Sequence, residues 1–99
     1  PRRQTFVGFV DTLDGRPNVE GQREGPVFLR LFEPEDGSIR ARVELNAADH
    51  HAAWQAYDRD QPVILQGVLR RTGRTHRIDE VTGFQALTQQ ANASSPEGT

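Results

Sequence analysis

The apolar period of this chain changes once and then changes back, and that switch limits the folds open to it. From Ile39 to Leu45 the residues alternate, with Ile39, Ala41, Val43 and Leu45 on one side and Arg40, Arg42 and Glu44 on the other. From Ala47 to about Asp58 the spacing becomes helical, and an alanine-rich run carries His50, Ala53, Trp54 and Tyr57 along one stripe. Asn46 precedes this run as an N-cap, and Asp49 puts a carboxylate in the first turn, where the helix dipole favours it. Gln61 and Pro62 stop the helix, and Val63–Leu69 returns to strand character.

Strands are also expected on either side of this central unit. Thr5–Leu13 is rich in β-branched and aromatic residues and apolar on both faces, as a central strand should be. Residues 14–26 contain Gly15, Pro17, Gly21 and Gly25 and read as a long loop, a length usually tied to function or mobility. Val27–Phe32 is a second strand, and Pro34–Gly37 is a turn. Gly67 marks a bulge or a close backbone approach within the fourth strand. Thr72 and Gly73 turn the chain into a fifth strand over Thr75–Val81, and Gly83–Leu87 is a short closing segment. All 23 Ile, Leu, Val and Phe residues lie between Phe6 and Leu87. The expected organisation is therefore a flexible start at 1–4, one domain at 5–87 and a disordered polar tail at 88–99.

This order of three strands, a helix and two strands resembles the OB-fold, a partly open Greek-key barrel. The resemblance covers residues 5–87 and rests on element order. It implies an all-β fold with one helix, a five-stranded OB-like barrel whose helix closes one end with Trp54 or Tyr57. Curvature would come from Gly8 and Gly67. A different small barrel, or an open sheet with the helix on one face, shares the same element order. The resemblance also implies a ligand surface on the outer side of the second and third strands, flanked by loops 14–26 and 70–75.

Alternation points to the same surface. With Leu29 and Leu31 inward, Phe28, Arg30 and Phe32 face outward beside Arg40 and Arg42, and Glu44 is the one counter-charge evident there. Two aromatics among three arginines suit single-stranded DNA or RNA, which needs stacking platforms and phosphate partners. Four more arginines, Arg70, Arg71, Arg74 and Arg77, crowd into the 70–77 stretch, which has no carboxylate of its own. On a hairpin tip they would clamp a polyanion from the side. Against this stand a net charge of −2 and a pI near 5.9, lower than most nucleic-acid binders have. The alternative is a protein-interaction or homodimerisation domain of a larger protein, meeting its partner through the Phe28 and Phe32 face or an exposed strand edge.

Catalysis and cofactors are not expected. His50 and His51 are adjacent, so on a helix they diverge, whereas metal ligands on one helix need a spacing of three or four. His50 is expected instead to lie partly buried over Leu45. Ser38 sits in a tight acidic turn with no implied base, and Asp79 and Glu80 alternate to opposite faces of a strand. The chain has no cysteine, which excludes disulfides and thiolate metal sites and fits a reducing, cytoplasmic setting. No apolar run approaches the roughly 20 residues that span a bilayer, so no membrane partner is expected. The absence of methionine is what a domain taken from a longer protein would show. Basic residues that are all arginine match a GC-rich, bacterial-like genome.

Overall fold

A computed structural model describes residues 2–34, 37–71, 73 and 75–87. The expected tail at 88–99, Arg74, and parts of the expected turns at 34–37 and 72–73 lie outside the described residues. The elements are β1 (Arg3–Leu13), β2 (Arg16–Pro17), β3 (Arg23–Glu33), β4 (Gly37–Leu45), α1 (Ala47–Asp58), β5 (Val63–Arg70) and β6 (His76–Ala86). β2 is a two-residue ribbon paired with the start of β3. The other five strands close on themselves in the cycle β1–β5–β6–β4–β3–β1, antiparallel throughout except for the parallel β4–β6 pair. The architecture is an OB-like barrel.

Closure depends on β1 changing partners. Its first half, Arg3–Gly8, pairs with β5, and its second half, Gly8–Leu13, pairs with β3. Gly8 is the pivot and stands opposite both Val63 and Leu31. A Cβ there would lie 2.8 Å from the Leu31 Cα, so the absent side chain lets β3 approach. Gly67 acts similarly on the other side of the barrel. The β5–β6 register slips between Gln66 and Val68, and a Gly67 Cβ would sit 2.7 Å from the Asp79 carbonyl oxygen.

Alternation sends Val27, Leu29 and Leu31 of β3 and Ala41, Val43 and Leu45 of β4 into the barrel, where they meet Phe6, Leu65, Ile78 and Phe84. The helix is capped as expected, with Asn46 Oδ1 accepting from the Asp49 amide at 2.8 Å. Its buried stripe, however, is His50, Ala53 and Ala56, while Trp54 and Tyr57 remain 50% and 54% exposed. Neither large ring plugs the barrel. The two stripes share His50 and Ala53 and part at Ala56, and two fully buried alanines seat the helix backbone directly against the core. His50 is more deeply buried than the expected partial burial over Leu45, and its Nε2 donates to the Asp14 carbonyl oxygen, tying α1 to the residue after β1.

Three boundaries differ from expectation. β1 starts at Arg3, ahead of Thr5, with Arg3 opposite Val68 and Gln4 opposite Gly67. The expected 14–26 loop is largely a ribbon in which Arg16 faces Glu24 and Pro17 faces Arg23. Asn18 builds its turn by accepting from the Glu20 and Gln22 amides at 2.9 Å and donating to Glu24 Oε1 at 3.1 Å. The stretch 23–26 shows no apolar alternation because backbone pairing and one Asn, not core burial, hold it. Finally, the fifth strand and the closing segment are one strand, β6, with Glu80 and Gly83 at positive φ absorbing its irregularities.

Candidate functional site

Strand register builds a row of guanidiniums on the outside of the barrel. Arg30 of β3 stands opposite Arg40 of β4, Arg42 of β4 opposite Arg77 of β6, and Arg77 opposite Arg70 of β5. Interior neighbours Leu29, Leu31, Ala41, Val43 and Ile78 are buried, so these arginines project to the other side. Adjacent strands lie about 4.8 Å apart, which gives the row a span of roughly 14 Å across four strands.

The aromatics border this row. Phe28 is opposite Arg42 and half-buried, with the Arg40 guanidinium carbon 4.3 Å from its ring centroid in a cation–π contact. Phe32 is 54% exposed, and its ring meets Phe9 of β1 edge-on, with centroids 6.0 Å apart. Phe32 therefore leaves much of its surface open to solvent. Phe28 presents less, because Arg40 covers it.

Counter-charges are more numerous than the sequence reading allowed. Asp11 of β1 accepts from Arg40 Nε at 3.0 Å and pairs with an Arg30 terminal nitrogen at 3.5 Å. Arg40 also donates to Thr12 Oγ1 at 3.3 Å. Arg42 pairs with Glu44 at 2.6 Å. Asp79 of β6 accepts from Arg77 Nε at 2.8 Å and a second Arg77 nitrogen at 3.3 Å, and also from Arg70 Nε at 3.1 Å. Arg71 reaches Glu33 at the end of β3, at 3.4 Å, which brings the arginine-rich stretch beside Phe32. Among the described residues, the five arginines of the row thus meet three carboxylates, Asp11, Glu44 and Asp79.

The pairing is visible in the acidities. The hydrogen bond from Arg40 holds the Asp11 carboxyl below its ordinary value of 3.8, with Arg30 adding to the effect and partial burial opposing it. The Arg77 hydrogen bond does the same to Asp79, assisted by Arg70, and Asp79 in turn raises the pKa of Arg77, making its guanidinium a weaker acid. Both carboxylates are therefore anionic near neutrality.

Of the expected residues, Phe28, Arg30, Phe32, Arg40, Arg42, Arg70 and Arg77 come together on one surface, and Arg71 stands at its edge. Asp11, Asp79, Thr12 and Phe9 were missed. The Asp79 contact was readable, because Asp79 follows Arg77 by two residues and strand alternation puts both on one side. The Asp11 contact required knowing that β1 closes against β3.

Elsewhere, a groove of about 650 Å³ runs between the β2–β3 ribbon and α1, lined by Arg23, Ala47, His51 and Trp54 among others. The His51 ring stacks nearly parallel to the Trp54 indole, with centroids 6.4 Å apart. Among the described residues, no group of three or more His, Asp or Glu side chains is placed to hold a metal ion. No described helix is long and apolar enough to cross a membrane. Comparison with protein-family models, curated proteins and solved structures finds no match to this chain.

Proposed function

We propose that this barrel is a non-catalytic binding module for single-stranded DNA or RNA, or a comparable polyanion, carried across β3, β4, β6 and β5. One observation supports the reading above the others: strand register aligns Arg30, Arg40, Arg42, Arg77 and Arg70 in a row beside an open Phe32 ring. Phosphates would follow the guanidiniums while a base stacks on Phe32, the combination that sequence-tolerant single-strand binding requires. Arg71 would flank the strand from the side.

The test is fluorescence anisotropy of a labelled oligothymidylate titrated with protein at two salt concentrations. Three to four phosphate contacts on a single strand give a log–log salt slope of about −2 to −3. Phe32→Ala is expected to weaken binding about tenfold or more, because a base–aromatic stack contributes about 1–3 kcal/mol. Its melting temperature should change little, since the side chain is half exposed. Absence of binding at tens of micromolar protein rejects the reading. A concentration-dependent dimer that hides Phe32 would favour the competing one, a protein-interaction surface.

A further inference from the structure

Two carboxylates occupy the positions an incoming oxyanion would need. The Nε side of an arginine offers two parallel N–H groups and is the edge that grips carboxylate or phosphate in a fork. Asp79 fills that edge of Arg77, at 2.8 and 3.3 Å, and also takes the Nε of Arg70 at 3.1 Å. Asp11 takes the Nε of Arg40 at 3.0 Å and reaches Arg30 at 3.5 Å. Each carboxylate therefore bridges two guanidiniums that strand register makes direct neighbours. Asp11 and Asp79 are 29% and 31% exposed, and the four arginines more so, so solvent and ligand can reach the pairs.

We propose that Asp11 and Asp79 are built-in stand-ins for ligand phosphates, holding the guanidiniums in pairs and being displaced, one per phosphate, on binding. This rests on the polyanion reading and sharpens its ligand class. A single small anion competes poorly against a carboxylate already tethered beside its arginines. A phosphodiester chain delivers several charges in one binding event and can displace both carboxylates together. The ligand is accordingly a multivalent phosphodiester or polyphosphate, and the two carboxylates set the threshold that excludes isolated anions.

A purely structural role makes a different forecast. If Asp11 and Asp79 serve only to relieve repulsion between Arg30 and Arg40 and between Arg70 and Arg77, removing them disorders the arginines and weakens binding. The test compares wild type, Asp11→Asn, Asp79→Asn and the double variant in anisotropy titrations with a labelled oligothymidylate. Inorganic phosphate serves as a competing monovalent probe, and circular dichroism confirms that each variant is folded. Each single substitution is expected to tighten oligonucleotide binding about fivefold, the scale of an exposed ion pair. The double variant should gain roughly the product, because the two sites share no partner. Phosphate should displace the oligonucleotide more readily from the double variant than from wild type. Wild-type binding with equal or weaker binding by the folded variants overturns this inference and leaves the polyanion reading standing. No binding by any of the four proteins overturns both. Should Asp11→Asn not fold, Asp79→Asn decides the matter by the same criteria.

Discussion

Replacing Gly8 with alanine tests the barrel closure on which the whole outer face depends. Gly8 is the residue at which β1 leaves β5 for β3, directly opposite Leu31. An added Cβ would stand 2.8 Å from the Leu31 Cα and would also collide with the Arg30 carbonyl oxygen. Non-bonded carbons settle at about 3.5–4.0 Å, so β3 must retreat by nearly 1 Å. Both obstacles are backbone, and no rotamer change relieves them. Overpacking a core costs about 1–3 kcal/mol, and a clash against two backbone atoms belongs at the upper end. In a domain of this size each kcal/mol moves the melting temperature by about 4–8 °C, so the expected loss is roughly 15 °C. Thermal melting followed by circular dichroism measures it. Because Asp11 reaches Arg30 and Arg40 only across the β1–β3 seam, the variant should also bind the oligonucleotide differently from wild type. A melting temperature within about 4 °C of wild type would refute the seam geometry.

Two further outcomes follow from the helix and from the charge pairs. Trp54→Ala should cost less than about 1 kcal/mol in urea unfolding, because the indole is half exposed, whereas a buried aromatic loses about 3–5 kcal/mol; a loss above about 2 kcal/mol would mean that the ring is packed after all. Asp11 has a lowered pKa in the folded state, so its stabilisation is complete above the ordinary carboxylate value of 3.8 and disappears as the pH falls through the lowered value. Wild type should therefore exceed Asp11→Asn in stability by at most about 1 kcal/mol above pH ~5, discounted because both guanidiniums are solvent-exposed and the carboxylate is only partly buried. The two proteins should converge once the pH has fallen below the lowered Asp11 pKa, and a gap that persists unchanged into acid would remove the ion pairs as its cause.

Much of the architecture was legible because it is written in local patterns. Alternation from Ile39 to Leu45 marked the inward and outward sides of β4, and Asn46 with Asp49 located the helix start. Gly67 announced the β5 bulge, and Leu29 and Leu31 assigned Phe28, Arg30 and Phe32 to the outside. The errors share a cause as well. Hydrophobicity points to Trp54 or Tyr57 as the plug, but a helix lying close over a filled barrel needs small side chains beneath it, and Ala53 and Ala56 occupy that place. The ribbon at 16–24 was read as a loop because Asn18 and backbone pairing hold it without any apolar signal.

By itself the amino-acid order determined where the central stretches of the five barrel strands lie, where the helix begins, and which side of β3 and β4 carries the arginines, since each of these depends on neighbours within a few positions. Tertiary structure alone decided which charges meet. Asp11 lies 19 residues from Arg30 and 29 from Arg40, and Glu33 lies 38 residues from Arg71. Those pairs exist because β1 swings from β5 to β3 at Gly8 and because β4 and β6 run side by side. Electrostatic partnership is a matter of distance in space, and the barrel sets that distance only when its last seam closes.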